Sequence, residues 1–201
     1  MTTEATGPRR SARNAGKPAA SASASARAPV AVKRKAASSN AGDKRAKLDS
    51  QPASIAKVLE IGDALPSLKL KLDDSSELDT ATLKNVVLFS YPRANTSGCT
   101  TQAKLYRDNH AAFTRANYTV YGLSNDAPSS LSSWKSKLSL PYNLISDPQR
   151  LLIKALTGSN DKTKRSHFVI DANAKLALAQ LSVKPAESCE SALAFVQPKS
   201  D

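Results

Sequence analysis

All ten aromatic residues of this 201-residue chain lie after position 88, and that placement decides which part of it can fold. The first 50 residues hold fourteen alanines and many serines, with Val30, Val32 and Leu48 as the only larger aliphatic side chains apart from Met1. A stretch of that kind cannot bury enough apolar surface to offset its chain entropy, so residues 1–53 are expected to form a disordered arm. Residues 54–198 are expected to make one domain, long enough for a real core. The charge divides in the same way. Residues 1–50 carry 11 Lys and Arg against 3 Asp and Glu, whereas the remainder carries 18 against 14.

Within the arm the basic residues gather into Lys33-Arg34-Lys35 and Lys44-Arg45-Ala46-Lys47. The second cluster resembles a Myc-type nuclear localisation signal, and the pair resembles a bipartite signal with a short spacer. Disordered basic chain can lie along the acidic and aromatic walls of an importin groove. The expected location is therefore the nucleus, with a mitochondrial presequence or a cytoplasmic protein as alternatives. The presequence reading has Arg9, Arg10, Arg13 and Arg27 in its favour, but only alanine to build an amphipathic face. The same clusters could hold DNA phosphates weakly and without sequence choice. No apolar run approaches the roughly 18 residues of a membrane span, so a soluble intracellular protein with no membrane partner is expected. Two cysteines, Cys99 and Cys189, are too few for a disulfide framework or a structural zinc site.

From Ile55 onward short apolar runs alternate with helical segments, the pattern of an α/β sandwich. Strands are expected at Ser67 to Leu72, Val86 to Ser90, Tyr118 to Leu123 and Tyr142 to Ile145, and a hairpin at Ser166 to Asp171 and Leu176 to Leu181. The run Val86-Val87-Leu88-Phe89 is apolar enough to be central. A helix is expected from about Cys99 to Arg115, with Ala103, Tyr106, His110 and Phe113 as its buried stripe. Pro128 should open a second helix facing inward through Leu131, Trp134 and Leu138. Ser146-Asp147-Pro148 should cap a third, through Leu156, and Glu187 to Val196 should close the chain as a fourth. A central strand, a helix start directly after it and a terminal hairpin plus helix is the order of a thioredoxin-type fold, with a central mixed sheet flanked by helices.

The segment Tyr91-Pro92-Arg93-Ala94-Asn95-Thr96-Ser97-Gly98-Cys99 places one thiol in the first turn of a helix, at the carboxyl end of an apolar strand. Free amides and the positive end of the helix dipole favour an anion there. Spacing alone leaves a reactive cysteine and a buried structural one equally open. The pattern Pro92-x-x-x-Thr96-x-x-Cys99 resembles the peroxiredoxin active site, and its flanks are similar to the peroxiredoxin Q, or bacterioferritin-comigratory, subfamily. Further matches run through the folded part: Gly62-Asp63-x-x-Pro66, Tyr106-Arg107-Asp108-Asn109, Leu144-Ile145-Ser146-Asp147-Pro148 and Arg165-Ser166-His167-Phe168-Val169-Ile170-Asp171. With its basic arm the chain is similar to the fungal nuclear thiol peroxidases.

The resemblance implies a thiol peroxidase that reduces hydrogen peroxide and organic hydroperoxides without a cofactor, as a monomer. Cys99 would be the peroxidatic nucleophile, passing through a sulfenic acid. A free thiol with a pKa near 8.5 is about 3% thiolate at pH 7, so full ionisation gains at most ~30-fold. The rest must come from donors aimed at the breaking O–O bond. The family assigns this work to Arg165, the Thr96 hydroxyl and the Cys99 amide, with Pro92 shielding the sulfur. Taken singly, Arg165 also reads as an exposed strand-edge charge, Thr96 as a helix cap and Pro92 as a loop residue. Arg93 and Gln102 are read as positional, His110 as a packed, hydrogen-bonded histidine, and His167 as a residue that could border the pocket. Two departures stand out. Ser97 replaces a frequent proline, and Lys104 occupies the place of the usual resolving cysteine, five residues after Cys99. Cys189 is then a possible resolving partner, against direct attack on the sulfenic acid by thioredoxin, or by glutathione or glutaredoxin. The reading from another class is a chromatin-associated binding protein whose basic arm is the functional element and whose peroxiredoxin domain is a sensor or vestigial.

Overall fold

The computed structural model describes residues 57–197. The expected arm, both basic clusters and the outermost residues of the expected domain lie outside the described residues. Seven strands form one mixed sheet: β1 (Lys69–Leu72), β2 (Glu77–Asp79), β3 (Val86–Ser90), β4 (Thr119–Ser124), β5 (Asn143–Ser146), β6 (Ser166–Ile170) and β7 (Leu176–Gln180). Their order is β2-β1-β5-β4-β3-β6-β7. Strands β3, β4 and β5 run parallel, while β6 and β1 pair antiparallel at either side of that trio. This is the mixed sheet of the thioredoxin-like class. Strand β3 lies between β4 and β6, and all five of its residues are buried because both of its faces are covered, with the one polar side chain, Ser90, donating its hydroxyl to the Lys164 carbonyl at 2.8 Å.

The helices are α1 (Ser97–Asp108), α2 (His110–Arg115), α3 (Pro128–Leu138), α4 (Leu151–Thr157) and α5 (Glu187–Val196). Alternation along β3 sends Val87 and Phe89 to one core and Val86 and Leu88 to another. The first core contains the inward residues of α1, α2, α3 and α5, and the second those of α4. Burying each such aliphatic or aromatic side chain contributes roughly 1.5–3 kcal/mol. At Gly122 on β4 a Cβ would stand 2.6 Å from Leu144 Cδ2 and 3.1 Å from the Phe89 ring, so the sheet closes there only around glycine.

The sequence reading needs several corrections. The helix expected to run unbroken to Arg115 divides at Asn109, whose ψ of 6° leaves the helical range and whose side-chain amide donates to the Leu105 carbonyl. His110 is therefore only half-buried, and its ring packs on Tyr142 without a side-chain hydrogen bond among the described residues. Strand β2 and the short 3₁₀ turn Thr80–Thr82 were not anticipated. Helix α4 starts later than its lead-in implied. Asp147 nevertheless holds its start, because its two carboxylate oxygens accept from the amides of Leu151 and Ile153 at 2.9 Å each. Helix α5 has the expected bounds. Among the described residues no helix is long and apolar enough to cross a membrane.

Candidate active site

The site is assembled where the chain leaves β3. Tyr91 continues the sheet by donating to the Leu123 carbonyl at 3.1 Å, and its ring is buried between Phe89 and Trp134. The next residues turn out to solvent and back. The Ala94 amide donates to Asp126 Oδ2 at 2.7 Å, and Lys137 donates to the Asn95 side-chain carbonyl at 2.9 Å. Asn95 takes a φ of 60°, a left-handed conformation that asparagine tolerates better than most residues. Helix α1 then begins at Ser97, which makes Cys99 its third residue.

Cys99 is 1% exposed, at the junction of the first core and the helix start. Arg165, in the run into β6, donates from Nη2 to Cys99 Sγ at 3.3 Å. Its Nη1 donates to Gln102 Oε1 at 2.7 Å and to the Gly98 carbonyl at 3.3 Å. The guanidinium has no carboxylate within ion-pair distance among the described residues, so the sulfur is the one partner on it able to carry a negative charge. A Cβ on Gly98 would meet Nη2 at 3.3 Å, so the glycine leaves the room in which the arginine lies.

The arginine is fixed in turn. Gln102, fully buried one helical turn after Cys99, donates from Nε2 to Ser188 Oγ on α5 at 3.0 Å. Ser188 also receives the Tyr106 hydroxyl on its carbonyl at 3.0 Å, and its Oγ lies 3.4 Å from His167 Nδ1. Three elements thus hold one arginine against one sulfur. His167 is buried behind this network instead of bordering the pocket. Desolvation lowers its pKa to about 4, so the imidazole is neutral at pH 7, and its Nε2 has no partner among the described residues.

The other predicted residues fall less neatly. Thr96 stands at the N-cap position, yet its hydroxyl donates to the Arg93 carbonyl at 3.1 Å and caps no amide. The loop has taken the cap for its own closure, which leaves the first-turn amides without a side-chain cap among the described residues. Pro92 and Arg93 are exposed at the head of the loop, and Lys104 is exposed on α1. Sequence reasoning missed Ser188 altogether. It assigned Gln102 no more than position, although Gln102 and Tyr106 follow Cys99 at three and seven residues on the same helical face.

Cys189 is the third residue of α5, 1% exposed, and its thiol donates to the Leu105 carbonyl at 3.4 Å. Desolvation, with Glu190 adding to it, pushes its pKa up to about 12. Leu105 is six residues beyond Cys99, roughly 9 Å along the helix axis at 1.5 Å per residue. The two thiols are separate in this structure, and bridging them requires one helix start to unwind.

The sequence matches the AhpC/TSA family over residues 61–179. It is 31% identical to peroxiredoxin bcp1 of Schizosaccharomyces pombe over 157 residues, covering 75% of this chain and 80% of the relative. It is 30% identical to peroxiredoxin Bcp of Bacillus subtilis over 154 residues, covering 71% and 98%. Among solved structures, peroxidoxin BcpB of Mycobacterium tuberculosis superposes with a TM-score of 0.64 at 26% identity, covering 71% of this chain and 99% of that one.

Proposed function

The chain belongs to the AhpC/TSA family and is a peroxiredoxin of the peroxiredoxin Q type, and on that premise we propose that Cys99 is its peroxidatic thiol and Arg165 the group that orients the reaction. The observation that carries this reading is the 3.3 Å contact between Arg165 Nη2 and Cys99 Sγ at the start of α1. A thiolate sulfur attacks one oxygen of a hydroperoxide, so that an S–O bond forms as the O–O bond breaks. Sulfur is oxidised to a sulfenic acid. The leaving oxygen takes the electron pair and then a proton, departing as an alcohol, or as water when the substrate is hydrogen peroxide. Charge grows on that oxygen in the transition state, so a guanidinium and free helix amides fixed beforehand accelerate the step without reorganising. Thr96 and Pro92 belong to the same loop, and their proposed roles are to donate to the peroxide and to screen the sulfur as the loop closes on substrate.

The geometry supports reduction by an external thiol over resolution by Cys189. A thiol with a pKa near 12, buried and bonded to a carbonyl, is a poor nucleophile at neutral pH. The proposed reductant is thioredoxin. One of its thiols displaces water from the sulfenic acid to give a mixed disulfide, and its second thiol then releases Cys99. Since Cys99 is only 1% exposed, this step requires the 92–96 loop or the first turn of α1 to open. One chain carries every group invoked, which supports a monomeric enzyme. The two basic clusters of the arm support importin binding and nuclear antioxidant defence.

A coupled peroxidase assay with thioredoxin, run beside one with glutathione, tests the reading. Turnover with thioredoxin that vanishes in Cys99→Ser is the expected result, and turnover that survives the substitution overturns it. Fusing residues 1–50 to a reporter tests the location. Nuclear accumulation that falls when Lys44, Arg45 and Lys47 are neutralised is expected, and mitochondrial import contradicts it.

A further inference from the structure

A recess of about 420 Å³ opens beyond the carboxyl ends of β3 and β4, lined by Pro92, Arg93, Asn125, Arg150, Asp161, Lys162 and Thr163. It shares Pro92 and Arg93 with the loop that leads to Cys99, and Thr163 lies two residues before Arg165, about 7 Å along extended chain. Two of its side chains are in a costly state. Thr163 is 5% exposed, and its hydroxyl has no hydrogen-bond partner among the described residues. Arg150 has its Nε and Nη2 buried without acceptors among the described residues. It makes no ion pair among the described residues, and the oxygens of nearby Asp147 face the amides of Leu151 and Ile153 instead.

Guanidinium nitrogens buried without a partner give up their hydration with no hydrogen bond in exchange, so their natural complement is an incoming acceptor. Nε and Nη2 form the edge of a guanidinium that matches the two oxygens of a carboxylate in parallel hydrogen bonds. Arg93 and Lys162 add positive charge around the recess, and Asp161 is its single carboxylate, so the lining favours an anion. Arg150 also holds a φ of 59° at the residue before α4, so its backbone is in a conformation that a side chain of this size seldom takes.

We infer that Arg150 and Thr163 form a carboxylate-binding subsite beside the peroxidatic thiol, which seats the anionic end of a small molecule whose reactive end reaches Cys99. The inference rests on the assignment of Cys99 above. The carboxylate enters either on an organic hydroperoxide, which makes the subsite a substrate selector, or on a low-molecular-weight thiol, which makes it a reductant selector. The chemistry of recognition is the same in both.

Two arms of one experiment separate these sources. In the first, reduced protein is oxidised by a hydroperoxide bearing a free carboxylate and, separately, by its methyl ester. In the second, the oxidised protein is reduced by 3-mercaptopropionate and by its methyl ester. The rate ratio of acid to ester in each arm is compared among wild type, Arg150→Gln and Thr163→Val. The Thr163 variant keeps the shape of the side chain and leaves the α4 start untouched. The expected result is a ratio that falls about tenfold in Arg150→Gln and about threefold in Thr163→Val, in the first arm for a substrate selector and in the second for a reductant selector. Ratios unchanged by both variants in both arms overturn the subsite. Failure of the wild type to react with acid and ester alike would instead overturn the assignment of Cys99.

Discussion

Cys99 and Cys189 begin from almost the same local circumstances and end in opposite chemical ones. Each is the third residue of a helix and each is 1% exposed. Helix position and burial therefore do not separate the thiol proposed as nucleophile from the one proposed as inert. The difference lies in what other elements bring to the sulfur. Cys99 receives the Arg165 guanidinium from the run into β6, whereas Cys189 receives no cation among the described residues, has Glu187 and Glu190 in its own first turn and donates its S–H to a carbonyl. A helix dipole is equivalent to about half a charge and is screened within a turn. A neighbouring full charge, or its absence, outweighs it.

The largest test breaks this pair apart. Cys99→Ser should abolish hydroperoxide reduction, while Cys189→Ser should change turnover less than twofold, measured as thioredoxin-coupled peroxide consumption. Loss of turnover in Cys189→Ser, together with a Cys99–Cys189 bond in peptide mapping after one equivalent of peroxide, would make the second thiol a partner instead of a contrast.

Next comes the cation that distinguishes the two. Arg165→Ala should lower the second-order rate with peroxide at least ~100-fold, the scale for losing one preorganised donor to a developing charge. A near-normal rate would mean that burial at the helix start is sufficient after all.

A smaller effect should appear in stability, through the histidine that meets Ser188 beside Cys189. The folded-state pKa of His167 is depressed to about 4, below its ordinary 6.5, so its contribution is present above pH 6.5 and is lost as pH falls toward 4. Integrated over that window the loss is at most about 3 kcal/mol. Denaturant midpoints at pH 7 and pH 4.5 should therefore differ less in His167→Gln than in wild type. Equal differences would show that His167 does not contribute to the acid sensitivity.

The smallest sharpens the role of the support. Gln102→Leu should slow peroxide reduction about tenfold by freeing Arg165 Nη1, whereas Gln102→Glu, which keeps an acceptor for that nitrogen, should retain more of the rate. Equal losses in the two variants would assign Gln102 to packing alone.

The fold was largely legible because its signals are local. Val86 to Phe89 is too apolar for an edge, Pro128 marks a helix start, and Glu187 to Val196 carries its stripe within ten residues. The break at Asn109 was not legible, since neither proline nor glycine announces it and the side-chain bond to Leu105 competes with the helix only in place. Strand β2 has three residues, too few for a period to show, and exists because β1 offers it a ladder.

The sequence by itself determined the family, the strand-to-helix position of Cys99 and the identity of its arginine, because a spaced motif and an apolar run survive without coordinates. It also showed that Lys104, and no cysteine, stands five residues after Cys99. Only the tertiary structure decided that Gln102, Ser188 and Tyr106 hold that arginine, that the Thr96 hydroxyl closes a loop instead of capping a helix, and that Cys189 sits as a buried thiol against Leu105. The physical reason is range. Motifs and periodicity report what neighbours along the chain impose on one another, whereas the charge and hydrogen-bond partner of a buried side chain are set by residues that packing brings from as far as 86 positions away.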